Sequence, residues 1–100
     1  MSTVRFTAGG LTFERDDAKA AANRRKHGVS FEEAATVFLD PLAHVFDDPD
    51  TAHGETRLLL VGLSAARRML VVVHVERREV LRIISARPAN TRERAVLERE

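Results

Sequence analysis

The sequence contains no cysteine, which removes disulfides, thiolate metal sites and cysteine nucleophiles from consideration. It also lacks tryptophan and tyrosine, so five phenylalanines are its whole complement of large aromatic rings. The first ten residues hold no apolar leader segment, and no later run approaches the length of a membrane span. A soluble cytoplasmic protein is the expectation. One hundred residues with 44% apolar content are enough for one core but not two, so a single domain over 1–100 is expected. Residues 1–10 read as either a flexible extension or a hairpin arm.

Excess charge of one sign is also missing, since the net charge is only +1. The balance is uneven along the chain. Residues 1–28 carry +3, residues 29–66 carry −6 and residues 67–100 carry +4. If folding joins the two ends, a local basic surface forms despite the neutral total.

The most informative stretch is Glu79–Arg87, followed by Pro88. Val80, Ile83 and Ile84 are β-branched and Pro88 ends the run, so it reads as a strand. Arg82, Ser85 and Arg87 interrupt its apolar character. Guanidinium groups among apolar walls suit a phosphate or carboxylate site.

Earlier in the chain, Val4-Arg5-Phe6 and Leu11-Thr12-Phe13 alternate around Gly9-Gly10, a short hairpin pattern. Asp16 is a good N-cap for a helix running to about His27, and Gly28 suits its left-handed stop. Ser30-Phe31-Glu32-Glu33 is a capping box, with Val29 and Ala34 as the hydrophobic staple. Phe31, Ala34, Ala35 and Phe38 give a buried stripe that ends at Asp40-Pro41. Leu42–Phe46 reads as a short strand and Asp47–Gly54 as a polar loop. Strands at about 56–64, 68–76 and 79–87 form an antiparallel meander. A last helix is capped by Asn90 or Thr91. The fold class expected is α+β: an antiparallel sheet of three to five strands, with two N-terminal helices and one C-terminal helix on one face.

If Arg77-Arg78 is a two-residue turn, Val73 faces Arg82 and His74 faces Leu81. One face then carries Leu70, Val72, His74, Leu81, Ile83, Ser85 and Arg87, a mixed set suited to a cleft. The other carries Val71, Val73, Val75, Val80, Ile84 and Arg82, and is greasier, so it is expected to take the helices. Arg57 falls on the His74 face if Ala66-Arg67 is a two-residue turn, and on the Arg82 face if the loop has three residues.

Several motifs together resemble the BrnT family of bacterial toxins. They are Asp16-x-x-Lys19, then Asn23-x-x-Lys26-His27-Gly28-Val29-Ser30-Phe31-Glu32-Glu33-Ala34, and Phe38-x-Asp40. Gly54-Glu55-x-Arg57, Gly62, Arg68 and Arg82-Ile83-Ile84-Ser85-Ala86-Arg87 continue the series in order. The likeness spans roughly residues 11 to 98. It implies a type II toxin with ribonuclease activity, a RelE-like fold, RNA as substrate and a cognate BrnA-type antitoxin. Arg15 stands where the family usually has Trp, and Leu97 where it tends to have Tyr.

Metal-free RNA cleavage needs a base for the 2′-hydroxyl, charge stabilisation at phosphorus and an acid for the leaving 5′-oxygen. Arg57, Arg68, Arg82 and Arg87 are the candidates for holding phosphate. His27, His74, Lys19 and Lys26 are candidates for moving protons, and Glu55 for a base or a partner of Arg57. Arg57, Arg82, Arg87, His27, Glu55 and His74 form the expected catalytic set, and Lys19, Asn23, Lys26, Arg68 and Ser85 the expected substrate-binding set. Several have a structural alternative: His27 as a helix cap, His74 as a sheet-edge or core residue, Arg82 with Glu55 as an ion pair, Lys19 and Asn23 as a solvated helix face; Arg87, at the end of its strand before Pro88, has the weakest one. Asp47, Asp48, Asp50 and His53 lack calcium-loop spacing, so no metal or other cofactor is expected and cleavage should survive chelation. No DNA-reading element is visible, so DNA contact is expected only through the antitoxin. A catalytically degenerate toxin and a non-catalytic module acting with a DNA-binding partner are the alternatives.

Overall fold

A computed structural model describes residues 2–50 and 54–98. Strand β1 (Thr3–Ala8) and strand β2 (Leu11–Asp16) form a hairpin turning at Gly9-Gly10, the second of the two readings of the N-terminal residues. Helix α1 (Asp17–His27) starts from the Asp16 carboxylate, which accepts the Ala18 N–H, and stops at Gly28 with φ +69°. A left-handed residue there lets the Gly28 N–H reach the Arg24 carbonyl, at a φ where an L side chain would be strained.

Helix α2 (Phe31–Thr36) is capped by Ser30, which accepts the Glu33 N–H. The reciprocal half of the capping box is absent. Glu33 instead accepts bonds from the Ser64 hydroxyl and from Arg68, which also donates to the Gly28 carbonyl. The expected helix to Asp40 is shorter than the stripe suggested, because a 3-10 turn takes over at Val37–Leu39.

Four more strands follow: β3 (His44–Asp47), β4 (Leu58–Leu63), β5 (Met69–Arg77) and β6 (Val80–Pro88). Helix α3 (Thr91–Glu98) ends the described chain. A capping box starts it, Asn90 accepting the Glu93 N–H while the Asn90 N–H donates to the Glu93 carboxylate.

The sheet has six strands in the order β1-β2-β6-β5-β4-β3 rather than three to five. It is antiparallel except where β2 lies parallel to β6. The extra strands are the N-terminal hairpin, which joins the sheet beside β6 and brings Phe13 next to Leu81.

One face is covered by α1, α2 and the 3-10 turn. Phe13, Val29, Phe31, Ala34, Val37, Leu60, Leu70, Val72, Ile83 and Ala86 form the core between the layers. Gly62 permits close approach there, since a Cβ on it would meet Ala43 Cβ at 2.7 Å and Val37 Cγ1 at 3.0 Å. Contrary to the one-face expectation, α3 lies over the opposite face, with Val96 beside Phe46, Leu59 and Val61.

The face assignment reverses the reading from sequence. The β5–β6 turn is Arg78-Glu79, so Val75 rather than Val73 pairs with Arg82. A bulge at Ile84 then shifts the register, pairing Val73 with Ser85 and Val71 with Arg87. The face with Leu70, Val72, His74, Leu81 and Ile83 takes the helices. Ser85 and Arg87 move to the Arg82 face, so the three polar residues of the strand point the same way.

Candidate active site

The face opposite α1 and α2 is built from cross-strand rows. Pairing places Val75, Arg82, Glu14 and Arg5 in one row, with Arg57 entering β4 at its end. Of the two loop lengths considered, the structure has the longer: Ala65, Ala66 and Arg67 lie between the paired Ser64 and Arg68, and Arg57 joins the Arg82 face. The next row is Phe46, Leu59, Val73 and Ser85, and the third is His44, Val61, Val71 and Arg87.

The first row holds the main electrostatic cluster. Glu14 is 8% exposed, yet three arginines surround its carboxylate. Arg77 Nη1 and Arg82 Nη1 both donate to Glu14 Oε1 at 3.2 Å, and Arg5 Nε lies 3.7 Å from Oε2. Arg77 also makes a two-pronged contact with Glu55, at 3.0 and 2.8 Å. The Glu55 carboxyl is held below its ordinary value chiefly by that Arg77 contact, aided by the charges of Arg82 and Arg57. Four guanidinium groups thus share two carboxylates, and the site favours an anionic ligand.

Arg87 is engaged differently. Its two terminal nitrogens donate to the Glu93 carboxylate at 2.8 and 2.7 Å, tying β6 to the first turn of α3. Arg87 thus has a structural partner, and Glu93 lies below its usual carboxylate range because of it.

The remaining residues singled out from sequence lie elsewhere. His74 is 2% exposed on the helix-covered face, its ring edge-on to Phe38, with no hydrogen-bond partner for Nδ1 among the described residues. Burial pushes its pKa down, against the opposing effects of the Val72 backbone and the Glu76 charge. His27 closes α1, and Lys19 and Lys26 are exposed on that helix, in the layer behind the sheet. Asn23 is buried rather than solvated: it donates to the Val29 and Ala86 carbonyls and accepts the Ala86 N–H. Arg68 is bound to Glu33. Of the proposed proton carriers, only Glu55 stands beside the arginine row.

Nothing in the sequence marks Glu14 or Arg5 as site residues, and Arg77 reads there as phosphate-steering or surface charge. The alternation of Leu11–Phe13 continues through Glu14, one residue further along the same strand. Arg77, expected in a two-residue turn, is instead the last residue of β5. His53 lies outside the described residues. Among those described, no group of three or more His, Asp or Glu side chains is arranged to hold a metal ion, and no helix is long and apolar enough to cross a membrane.

The family model "Ribonuclease toxin, BrnT, of type II toxin-antitoxin system" matches residues 16–93. The chain belongs to this BrnT family. The crystal structure of the Brucella abortus ribonuclease toxin BrnT is similar to it, with a TM-score of 0.59 and 26% sequence identity, over 77% of this chain and 94% of that one. A search of curated proteins gave no match. Membership implies an RNA target and an antitoxin partner. Arg57, Arg77, Arg82 and Arg87 fall inside the span matched by the BrnT family, whereas Arg5 and Glu14 precede it. Where BrnT proteins usually carry Trp, Arg15 lies 5.3 Å from the centre of the Phe6 ring and pairs with Asp17 and Glu32. Over the Phe6 ring it makes a cation–π contact.

Proposed function

We propose that the chain is a metal-independent endoribonuclease that cleaves RNA by attack of the 2′-hydroxyl on the adjacent phosphate. The observation that carries the reading is the arginine row on the sheet face opposite α1 and α2. Arg57 and Arg82 hold the non-bridging oxygens and stabilise the charge that builds at phosphorus. Glu55, ionised at neutral pH, accepts the 2′-hydroxyl proton. Its lowered pKa weakens it as a base, so charge stabilisation supplies most of the acceleration. The 5′-oxygen leaves with a proton from water, and the products carry a 2′,3′-cyclic phosphate and a 5′-hydroxyl. Cleavage of cytoplasmic RNA halts translation, and a BrnA-type antitoxin silences the toxin.

The test is purified protein with a defined RNA, with and without EDTA. Cleavage should persist in EDTA and yield cyclic-phosphate ends. Arg82→Ala and Arg57→Ala should each lower kcat by about 100-fold, the scale of losing one transition-state donor. Full loss of cleavage in EDTA, or wild-type rates in both variants, would overturn the mechanism.

A further inference from the structure

Four of the five phenylalanines belong to the core: Phe13 and Phe31 are buried, and Phe6 and Phe38 pack against them. Phe46 does not. It is 39% exposed on edge strand β3, on the face that carries the arginines. With Leu59 and Val61 it floors a groove of about 230 Å³, and Arg92, Glu93 and Val96 of α3 form the opposite wall. A ring of this size left at a strand edge forfeits burial that the core could have provided.

We infer that this groove is a nucleobase subsite, in which Phe46 stacks a base of the RNA whose phosphate is held on the arginine row. The inference rests on the ribonuclease reading and names how its substrate is placed. Three observations support it. The ring already takes part in a near-parallel stack, with His44 at 6.2 Å between centroids and 19° between planes, so its orientation suits flat partners. Arg57 is two residues from Leu59, the strand partner of Phe46, and therefore about 7 Å along the same face. A base on Phe46 thus leaves its backbone within reach of Arg57. Finally, Arg92 places a second cation at the groove, which suits an anionic strand. Single-stranded RNA is bound in general by this combination of an aromatic platform and guanidinium groups.

The absence of tryptophan and tyrosine makes the test clean. The single indole of the Phe46→Trp variant is titrated with a short single-stranded 2′-O-methyl RNA, which cannot be cleaved, and with an abasic strand of equal phosphate number. Binding of both strands is followed independently by anisotropy. The base-bearing strand should quench the indole and the abasic strand should not. In cleavage assays Phe46→Leu should raise KM about tenfold, the scale of losing one base–aromatic stack, with a smaller effect on kcat. Indole emission unchanged at saturating base-bearing strand, or an unaltered KM in Phe46→Leu, would overturn the subsite. An unchanged emission is also the outcome if the groove takes an apolar protein segment instead. Absence of RNA cleavage by the wild-type protein sinks the ribonuclease reading on its own, since the titration uses a strand that is never cut.

Discussion

Glu14 shows how one residue can set the character of a site. A carboxylate so well buried is costly unless paired, and here Arg77 and Arg82 hydrogen-bond to it while Arg5 lies close by. It therefore fixes the guanidinium groups and also cancels part of their charge. Replacing it by glutamine should separate the two effects. Glu14→Gln keeps the shape but makes neutral bonds, so Arg82 is held less firmly and kcat should fall about tenfold. The net positive charge of the row rises, so RNA should bind several-fold more tightly, measured by anisotropy at fixed salt. Loss of binding and turnover together would show that Glu14 only maintains the fold. The position was legible as part of an alternating run, but its role was not. Its hydrogen-bond partners, Arg77 and Arg82, come from strands more than 60 residues away.

Among the elements, the junction of α1 with β6 depends on a side chain that stands in for a strand. Strand β2 pairs with β6 only at Leu81 and Arg82, then turns into α1 after Asp16. The backbone of β6 beyond that point has no strand on that side, and the Asn23 amide satisfies both the N–H and the carbonyl of Ala86. Asn23→Ala leaves those groups and the Val29 carbonyl unpaired in a buried place, and should cost about 3 kcal/mol in urea unfolding. A loss under 1 kcal/mol would mean that the chain rearranges to pair them. The start and stop of α1 could be read locally, because caps act within one turn. The burial of Asn23 could not, because Ala86, 63 positions away, gives no local signal.

At the scale of the whole molecule, two sets of groups set the response to acid. His74 sits neutral in the core, with its pKa lowered by burial from the ordinary 6.5. Below that pH the unfolded chain binds a proton that the folded chain refuses, so stability should decline as pH falls from about 6.5 toward the folded-state value. Glu33 and Glu93 are held below 4.5 by Arg68 and Arg87, and their contribution is lost as pH falls through that lower range. Urea midpoints should show both phases, and His74→Leu should flatten only the first. A first phase unchanged in that variant would place the titrating group elsewhere.

Much of this architecture was fixed by the sequence alone. The caps at Asp16 and Ser30, the stop at Gly28 and the strands from Leu58 onward follow from short-range backbone geometry and residue type, whereas the N-terminal hairpin and the choice of Asn90 over Thr91 as a cap stayed open. The tertiary structure decided the rest: that β2 inserts parallel beside β6, that a bulge at Ile84 gathers Arg82, Ser85 and Arg87 on one face, and that α3 covers the other side of the sheet from α1. The reason is physical. Side chains alternate with a period of two, so a one-residue change in a turn or bulge moves every later residue to the opposite face. Loop conformations of different length differ little in local energy. Only packing across the whole sheet chooses between them.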